Sequence, residues 1–184
     1  MKREQEPMMF TASRRFRSLF QPQNESHERK GNPMRIRPAR LEDIPILYAL
    51  VNDYARRGWL LPRSAEEIAA TLPDWVVAEA GGRIVGCGSL VWMSPTLVEI
   101  RSLAVDEAYQ GNGVGGAIVQ ALVEQARSAG ARTVFALTRA VPFFERLGFA
   151  VAERDRFPEK VWRDCMRCPL RERCDEVAVM LQLE

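Results

Sequence analysis

The stretch Tyr109-Gln110-Gly111-Asn112-Gly113-Val114-Gly115-Gly116 decides the fold of this chain. It follows an apolar stretch typical of a strand, residues 98–105, and precedes an amphipathic stretch typical of a helix. Glycines adopt backbone conformations that other residues avoid and let an anion approach the main chain. The start of a helix adds free N–H groups and a positive dipole end. The stretch therefore predicts a turn that binds the pyrophosphate of a phosphorylated cofactor.

Two common glycine-rich phosphate motifs do not fit this turn. The dinucleotide fingerprint needs Gly-x-Gly-x-x-Gly directly after a strand, and a P-loop ends in Gly-Lys-Ser/Thr. Neither pattern is present, and no lysine lies nearby. Nicotinamide and nucleoside triphosphate binding are therefore disfavoured, and the pattern that remains is Gln-x-x-Gly-x-Gly, from Gln110 to Gly115.

Three motifs, taken in order along the chain, resemble those of the GCN5-related N-acetyltransferase (GNAT) family. They are residues 98–105, the Gln-x-x-Gly-x-Gly turn and Phe143-Phe144-Glu145-Arg146-Leu147-Gly148-Phe149. The resemblance covers most of the chain from Met34 onward. It implies an α/β fold with a mixed, mostly antiparallel twisted sheet of about six to seven strands flanked by helices. It also implies acetyl-CoA as the co-substrate.

The resemblance also implies which residues bind acetyl-CoA. Backbone groups of Leu103, Ala104 and Val105 are expected to pair with the pantetheine arm, and a main-chain amide near Val105 can polarise the thioester carbonyl. The pyrophosphate is expected at Gln110, Gly111, Asn112, Gly113, Val114, Gly115 and Gly116. The alternative for these glycines is a plain turn between a loop and a helix.

Hydrophobic periodicity predicts the remaining elements. Ser64 and Glu67 have the spacing of a capping box, and Gly81-Gly82 predicts a two-residue hairpin. The predicted helices cover residues 41–57, 64–73, 114–130 and 142–146. The predicted strands cover residues 34–37, 75–80, 83–92, 96–105, 133–138, 149–152 and 177–183.

Glu99 is the candidate general base for the acceptor amine. Alternation along a strand places residues 99, 101, 103 and 105 on one face, so Glu99 would lie upstream of the segment that pairs with the cofactor. A carboxylate there could take the proton of the amine directly or through one water. A salt bridge between Glu99 and Arg101 is the alternative, since strands commonly carry such pairs.

The chain departs from the family at Phe144, where many members have a tyrosine that protonates the leaving thiolate. A phenyl ring cannot donate a proton, so solvent or another side chain must do so, or the thiolate leaves unprotonated. Thiols titrate near pH 8.5, so departure of the thiolate without protonation has only a small free-energy cost.

The segment from Leu137 to Phe149 resembles amino-acid acetyltransferases of the N-acetylglutamate synthase type, as does the segment from Phe157 to Glu176. This resemblance implies L-glutamate as the small-molecule amine acceptor, by direct attack on acetyl-CoA, at the entry step of arginine synthesis. The two carboxylates of glutamate need cationic partners, for which the candidates are Arg101, Arg139 and Lys160.

Two other functions stay open at this stage. One is acetylation of another amine, such as a polyamine, a drug or a protein N-terminus, where carboxylates rather than cations would be expected at the acceptor site. The other is a sensor that binds acetyl-CoA without catalysis, which the missing tyrosine favours and which the intact glycine turn and Glu99 oppose.

The cysteines Cys165, Cys168 and Cys174 form a Cys-x-x-Cys-x5-Cys cluster. Zinc is one interpretation, but structural zinc usually has four ligands from Cys and His, and the only histidine is His27. Free thiols or a labile disulfide are the alternatives. Cys87, on an apolar strand, is expected to be a buried thiol. An unpaired thiol and no signal peptide favour a reducing cytoplasm.

Composition favours one N-acetyltransferase domain, residues 34–184, within the 184-residue chain. Residues 1–33 have no periodic pattern and are interpreted as a disordered tail or a mis-annotated start. The net charge of +2 gives no reason to expect nucleic-acid binding, and no apolar stretch approaches the ~20 residues of a membrane span. A homodimer is left open.

Overall fold

The fold is described from a computed structural model, which covers residues 34–168 and 171–183. The predicted tail, residues 1–33, lies outside the described residues. The helices are α1 (Ile44–Arg56), α2 (Ala65–Ala70), α3 (Val114–Ser128), α4 (Val141–Glu145) and α5 (Pro158–Arg163). The strands are β1 (Arg35–Pro38), β2 (Trp75–Ala80), β3 (Arg83–Ser94), β4 (Leu97–Val105), β5 (Thr133–Thr138), β6 (Ala150–Ala152) and β7 (Val177–Gln182).

The seven strands form one mixed sheet in the order β1-β2-β3-β4-β5-β7-β6. Every neighbouring pair is antiparallel except β4 and β5, which are parallel. The predicted sheet of six to seven mostly antiparallel strands, flanked by helices, is therefore confirmed.

Helix α3 packs on one face of the sheet because its apolar residues recur at helical spacing. Ile118 and Leu122 are fully buried against strand residues such as Val98 and Ile100. Helices α1 and α2 contact each other, and α1 contacts β3 and β4. On β5, Val134 belongs to the α3 cluster, whereas its neighbour Phe135 belongs to a separate cluster with Phe157, so the sheet has a core on both faces.

The capping box predicted for α2 is present. The backbone N–H of Glu67 donates to Ser64 Oγ at 3.1 Å, and the backbone N–H of Ser64 donates to Glu67 Oε2 at 2.8 Å. These bonds satisfy two donors at the start of the helix and fix the chain direction directly after Arg63.

A bulge in β4 changes the predicted alternation of its side chains. Ser102 has a positive φ of 53°, and the pairing with β3 shifts register there. As a result, Ile100 and Leu103 both pack toward the α3 cluster. The prediction that residues 99, 101, 103 and 105 share one face is therefore wrong, because an extra residue in one strand reverses the alternation beyond it.

The segment between β6 and β7 contains α5 and short 3-10 turns, none of which the sequence pattern predicts. Phe157 fixes this segment to the sheet. Its ring is 2% exposed and stacks on Phe135 with centroids 4.2 Å apart and planes 7° apart. The segment therefore covers the face of the sheet opposite α3, at β5.

Candidate active site

The sheet splits between β4 and β5. The two strands pair only from Leu97 to Glu99 and from Thr133 to Phe135, although β4 continues to Val105 and β5 to Thr138. In the described residues, no strand pairs with the β5-facing edge of β4 beyond Glu99. The predicted cofactor-pairing residues Leu103, Ala104 and Val105 lie on this part of β4.

A cavity of about 350 Å³ opens at the split. Its walls come from β4, from β5 and the turn after it, from the loop between α1 and α2, and from the segment between β6 and β7. The charged residues that line it are Arg63, Glu99, Arg101, Arg139, Lys160 and Glu176.

The glycine turn lies directly beside this cavity. Gly111 and Gly113 have φ values of 75° and 79°, and Gly113 is the residue before α3. A Cβ atom at either position would have no neighbour within 4 Å, whereas one at Gly115 would lie 3.4 Å from Phe143, which lines the cavity. The open backbone and the free N–H groups at the start of α3 fit a diphosphate.

The side chain of Gln110 is exposed but already hydrogen-bonded to protein groups. Its Nε2 donates to the hydroxyl of Tyr54 at 2.5 Å and to the carbonyl of Val105 at 3.1 Å, and the Tyr54 hydroxyl donates to the same carbonyl at 2.6 Å. Burial, followed by the charge of Glu107, raises the pKa of Tyr54. These bonds connect α1, the end of β4 and the glycine turn.

Glu99 is buried and held by two cations. Lys160 Nζ lies 2.7 Å from Oε1 and 3.0 Å from Oε2, and Arg101 Nη2 lies 2.6 Å from Oε2. Only 3% of Glu99 is exposed. The alternative drawn from the sequence, a salt bridge between Glu99 and Arg101, is present, and Lys160 adds to it.

Asp164 completes this ion-pair network. It accepts hydrogen bonds from Lys160 at 3.0 Å and from Arg101. Burial acts to raise the pKa of Asp164, but Arg101 and Lys160 outweigh it and lower the pKa to about 2. Burial likewise acts to lower the pKa of Arg101, and the charges of Glu99 and Asp164 outweigh it and raise that pKa. The network joins α5 to β4.

Arg139 also has partners within the protein. Its Nε donates to Asp175 Oδ1 at 2.5 Å and its Nη1 to the carbonyl of Gly58 at 3.0 Å, and the guanidinium lies 5.8 Å from the ring centre of Trp59. Asp175 is exposed. Arg139 therefore connects the end of β5 with the loop after α1 and with the segment that precedes β7.

Arg63 and Glu176 line the cavity and were not identified from the sequence. Within residues 34–168 and 171–183, neither side chain forms an ion pair, and the one hydrogen bond of the Glu176 carboxylate is a contact of 3.8 Å from Cys174 Sγ. Burial, followed by repulsion from Arg101, lowers the pKa of Arg63, and burial raises the pKa of Glu176. Arg63 follows Pro62 in a loop, and no motif marks it.

The cysteine cluster gives no support to zinc. Cys165, Cys168 and Cys174 are half-buried free thiols, and Cys168 and Cys174 line the cavity. Across the described parts of the chain, no group of three or more His, Cys, Asp or Glu side chains is arranged to hold a metal ion. Cys87 is fully buried, as predicted, and burial raises the pKa of its thiol to about 12.

Phe144 is buried in the α3 core, 4% exposed, in edge contact with Phe143 and Phe149. No hydroxyl is available at this position.

Among the described helices, none combines the length and the hydrophobicity that crossing a bilayer takes.

Comparison with known proteins finds a family model and close relatives. The model described as the acetyltransferase (GNAT) family matches residues 44–149. An uncharacterized N-acetyltransferase of Chlorobaculum tepidum, CT2212, is 38% identical over 148 residues, which are 80% of this chain and 96% of that protein. An amino-acid acetyltransferase of Mycobacterium tuberculosis is 39% identical over 121 residues, 64% of this chain and 69% of that protein.

A solved structure shares the fold. It is N-acetylglutamate synthase from Neisseria gonorrhoeae complexed with coenzyme A and N-acetyl-glutamate, with a TM-score of 0.72 and 27% identity. The match covers 84% of this chain but 36% of the synthase chain. The present chain therefore corresponds to about a third of that protein.

Proposed function

Because the chain belongs to the acetyltransferase (GNAT) family, we propose that it acetylates the α-amine of L-glutamate. The chain is an acetyl-CoA-dependent N-acetyltransferase, so the proposal concerns its acceptor. N-acetylglutamate formation is the entry step of arginine synthesis, and the proposal accordingly places the protein in that pathway and in the cytoplasm.

The observation that carries the proposal is the unpaired charge of Arg63. Arg63 is half-buried, lines the cavity and has no ion-pair partner among the described residues. A guanidinium binds a carboxylate through two parallel hydrogen bonds, and burying it without a counter-ion is costly. An acceptor with a carboxylate would supply that counter-ion.

Glutamate has a second carboxylate, for which Arg139 is the proposed partner. Its present partner, Asp175, occupies the guanidinium from an exposed position, so a substrate carboxylate could replace it. Arg101 and Lys160, the other two predicted acceptor residues, are already paired with Glu99 and Asp164. We propose that they shape the site by fixing these carboxylates.

Two relatives support an amino-acid acceptor. The Mycobacterium tuberculosis relative is named an amino-acid acetyltransferase, and the Neisseria gonorrhoeae synthase was solved with N-acetyl-glutamate. These ligands and activities are properties of those proteins. For the present chain, an acceptor with carboxylates agrees with the arginines and the lysine that line the cavity.

The proposed reaction is a direct transfer. Acetyl-CoA would lie in the split, with its pantetheine arm along Leu103 to Val105 and its diphosphate at the glycine turn. The amine attacks the thioester carbonyl once both reactants are aligned, which by itself lowers the barrier substantially. Glu99, the base predicted from the sequence, lies where the split begins. The buried Phe144 leaves protonation of the thiolate to another group.

The test is CoA release from acetyl-CoA by purified protein with a panel of amines. L-glutamate, D-glutamate, L-glutamine, L-aspartate, L-alanine and spermidine are compared at equal concentrations. We expect saturable turnover with L-glutamate and none with D-glutamate, since the amine of the D-isomer points away when both carboxylates are bound. A preference for spermidine would contradict the proposal and favour a polyamine acceptor. Acetyl-CoA binding without turnover would favour a sensor.

A further inference from the structure

The residues that line the cavity include two glutamates, and these differ in whether their carboxylate oxygens are free to accept a hydrogen bond from a substrate. Both oxygens of Glu99 already accept hydrogen bonds from cations, Oε1 from Lys160 and Oε2 from Lys160 and Arg101. An incoming ammonium would have to compete with these two residues for the oxygen lone pairs. Glu99 is therefore best suited to holding Lys160 and Arg101 in place.

Glu176 is positioned firmly but keeps its carboxylate free. Its carbonyl accepts a hydrogen bond from Arg154, and the next residue, Val177, pairs with Thr138 at the end of β5. Glu176 lines the same cavity as Thr138. In the described part of the chain, no cation lies within ion-pair distance of the carboxylate, and its one contact is the Cys174 thiol, 3.8 Å away.

The chemistry of the reaction requires such a group. An amino acid arrives as an ammonium ion, which cannot attack a carbonyl until it has lost a proton. A carboxylate that faces the acceptor and is partly removed from water can attract the ammonium and take that proton. Burial raises the pKa of Glu176, which makes its carboxylate a stronger base than that of an exposed glutamate. The charged and titratable groups around it are Arg139 at the end of β5, Lys160 on α5, Arg154 after β6, Glu99 on β4 and Cys174 on its own segment.

We propose that Glu176 is the catalytic carboxylate of the acceptor site, where it binds the acceptor ammonium and takes its first proton. The nitrogen then attacks the thioester carbon, the N–C bond forms, and the C–S bond breaks with its electron pair passing to sulfur. The nitrogen loses its second proton, which the CoA sulfur gains. Glu176 releases the first proton to solvent. The inference rests on use of this cavity by the acceptor amine, and it holds for any amine that binds there.

The experiment compares Glu176→Gln, Glu176→Asp and Glu99→Gln with the native protein. For each, kcat and kcat/KM for the acceptor are measured between pH 5.5 and 9, and acetyl-CoA affinity is measured by calorimetry. We expect Glu176→Gln to lower kcat about 10²- to 10⁴-fold, to lose the acidic limb of the pH profile of kcat/KM, and to bind acetyl-CoA normally. Glu176→Asp should retain that limb at a lower rate, because it keeps a carboxylate.

The control is Glu172→Gln, an exposed glutamate of the same segment, for which we expect native kinetics. Persistence of the acidic limb in Glu176→Gln, together with its loss in Glu99→Gln, would overturn the inference and assign the base to Glu99. Normal acetyl-CoA binding by Glu176→Gln shows that any lost activity is not a folding defect.

The acceptor panel separates this inference from the proposed function. If another amine is acetylated and glutamate is not, the glutamate proposal fails, and the pH profiles are measured with that amine. If glutamate is acetylated and the limb remains in Glu176→Gln, only the role of Glu176 fails. Turnover of no amine in the panel would overturn both.

Discussion

Arg63 differs from the other cations of the cavity in having no carboxylate partner among the described residues. Arg101 and Lys160 share Glu99 and Asp164. A charge that the fold leaves unpaired inside a cavity can be paired by a ligand without first breaking a bond within the protein. Arg63 should therefore contribute more to acceptor binding than the cations that are already paired.

Replacing Arg63 by alanine should raise the KM for the acceptor roughly 10- to 100-fold. A hydrogen bond to a charged group contributes about 1.5 to 3 kcal/mol, and 1.4 kcal/mol corresponds to a factor of ten. The measurement is initial rate against acceptor concentration, with Arg132→Ala as a control, since Arg132 is exposed and lies away from the cavity. An unchanged KM would show that the acceptor does not contact Arg63.

Pairings between distant residues are the part of the site that the sequence could not predict. The bond between Arg101 and Glu99 joins residues two apart on one strand, so the sequence predicts it as an alternative to a free Glu99. The bond between Lys160 and Glu99 joins residues 61 apart. It depends on how the segment before β7 folds over the sheet, so the sequence predicts Lys160 only as a partner of the substrate carboxylates.

At the level of elements, the two ends of α3 offer a matched comparison. Gly113 precedes the helix with φ 79°, and Gly130 follows it with φ 90°, and a Cβ at either position would meet nothing within 4 Å. A substitution at either glycine therefore carries a similar backbone cost. Only the N-terminal end has the free N–H groups that attract a phosphate.

Gly113→Trp should abolish acetyl-CoA binding, whereas Gly130→Trp should lower stability without weakening that binding. The indole at position 113 would cover the backbone that the pyrophosphate must approach. Acetyl-CoA affinity is measured by calorimetry on both variants, with thermal unfolding as the check on stability. Equal affinities in the two variants would contradict a pyrophosphate site at the start of α3.

The bulge in β4 shows why strand alternation alone was insufficient. Counting every second residue predicted that Glu99 and Leu103 share a face, but Leu103 packs on the α3 side. The bulge accommodates its extra residue at Ser102, which has a positive φ of 53°. A serine in this conformation is uncommon and leaves no pattern in the sequence, so only the folded strand shows the change.

At the level of the whole molecule, the local sequence pattern predicted most helices and strands. The site depends instead on how strands and distant side chains pair. Strands such as β2 and β5 were predicted within a residue because their apolar residues are bounded by turn residues. The split between β4 and β5 could not be predicted from such a pattern, since it depends on where the hydrogen bonding between these two parallel strands ends. Helix α5, with six residues, is too short to show a helical period.

The stability of the whole molecule should depend on pH through the carboxylates that its cations hold. The charges of Arg101 and Lys160 hold the pKa of Asp164 at about 2 in the folded protein, well below the ordinary value of an aspartate. A carboxyl whose pKa is lowered by folding stabilises the protein at pH values above the unfolded pKa, and this contribution is lost as the pH falls through the folded pKa. Glu176 acts in the opposite sense, because burial raises its pKa.

The free energy of unfolding should therefore fall as the pH decreases from about 4 toward 2, and it should fall less in Asp164→Asn than in the native protein. Asparagine keeps the shape of the side chain but has no proton to gain in this range. Urea unfolding at pH 6.5, 4.0 and 3.0 measures the effect, with Asp155→Asn, an exposed position, expected to follow the native protein. Equal losses in the native protein and in Asp164→Asn would mean that the pairing of Asp164 with Arg101 and Lys160 does not stabilise the fold. The attachment of α5 to the sheet would then rest on the stacking of Phe157 on Phe135 of β5.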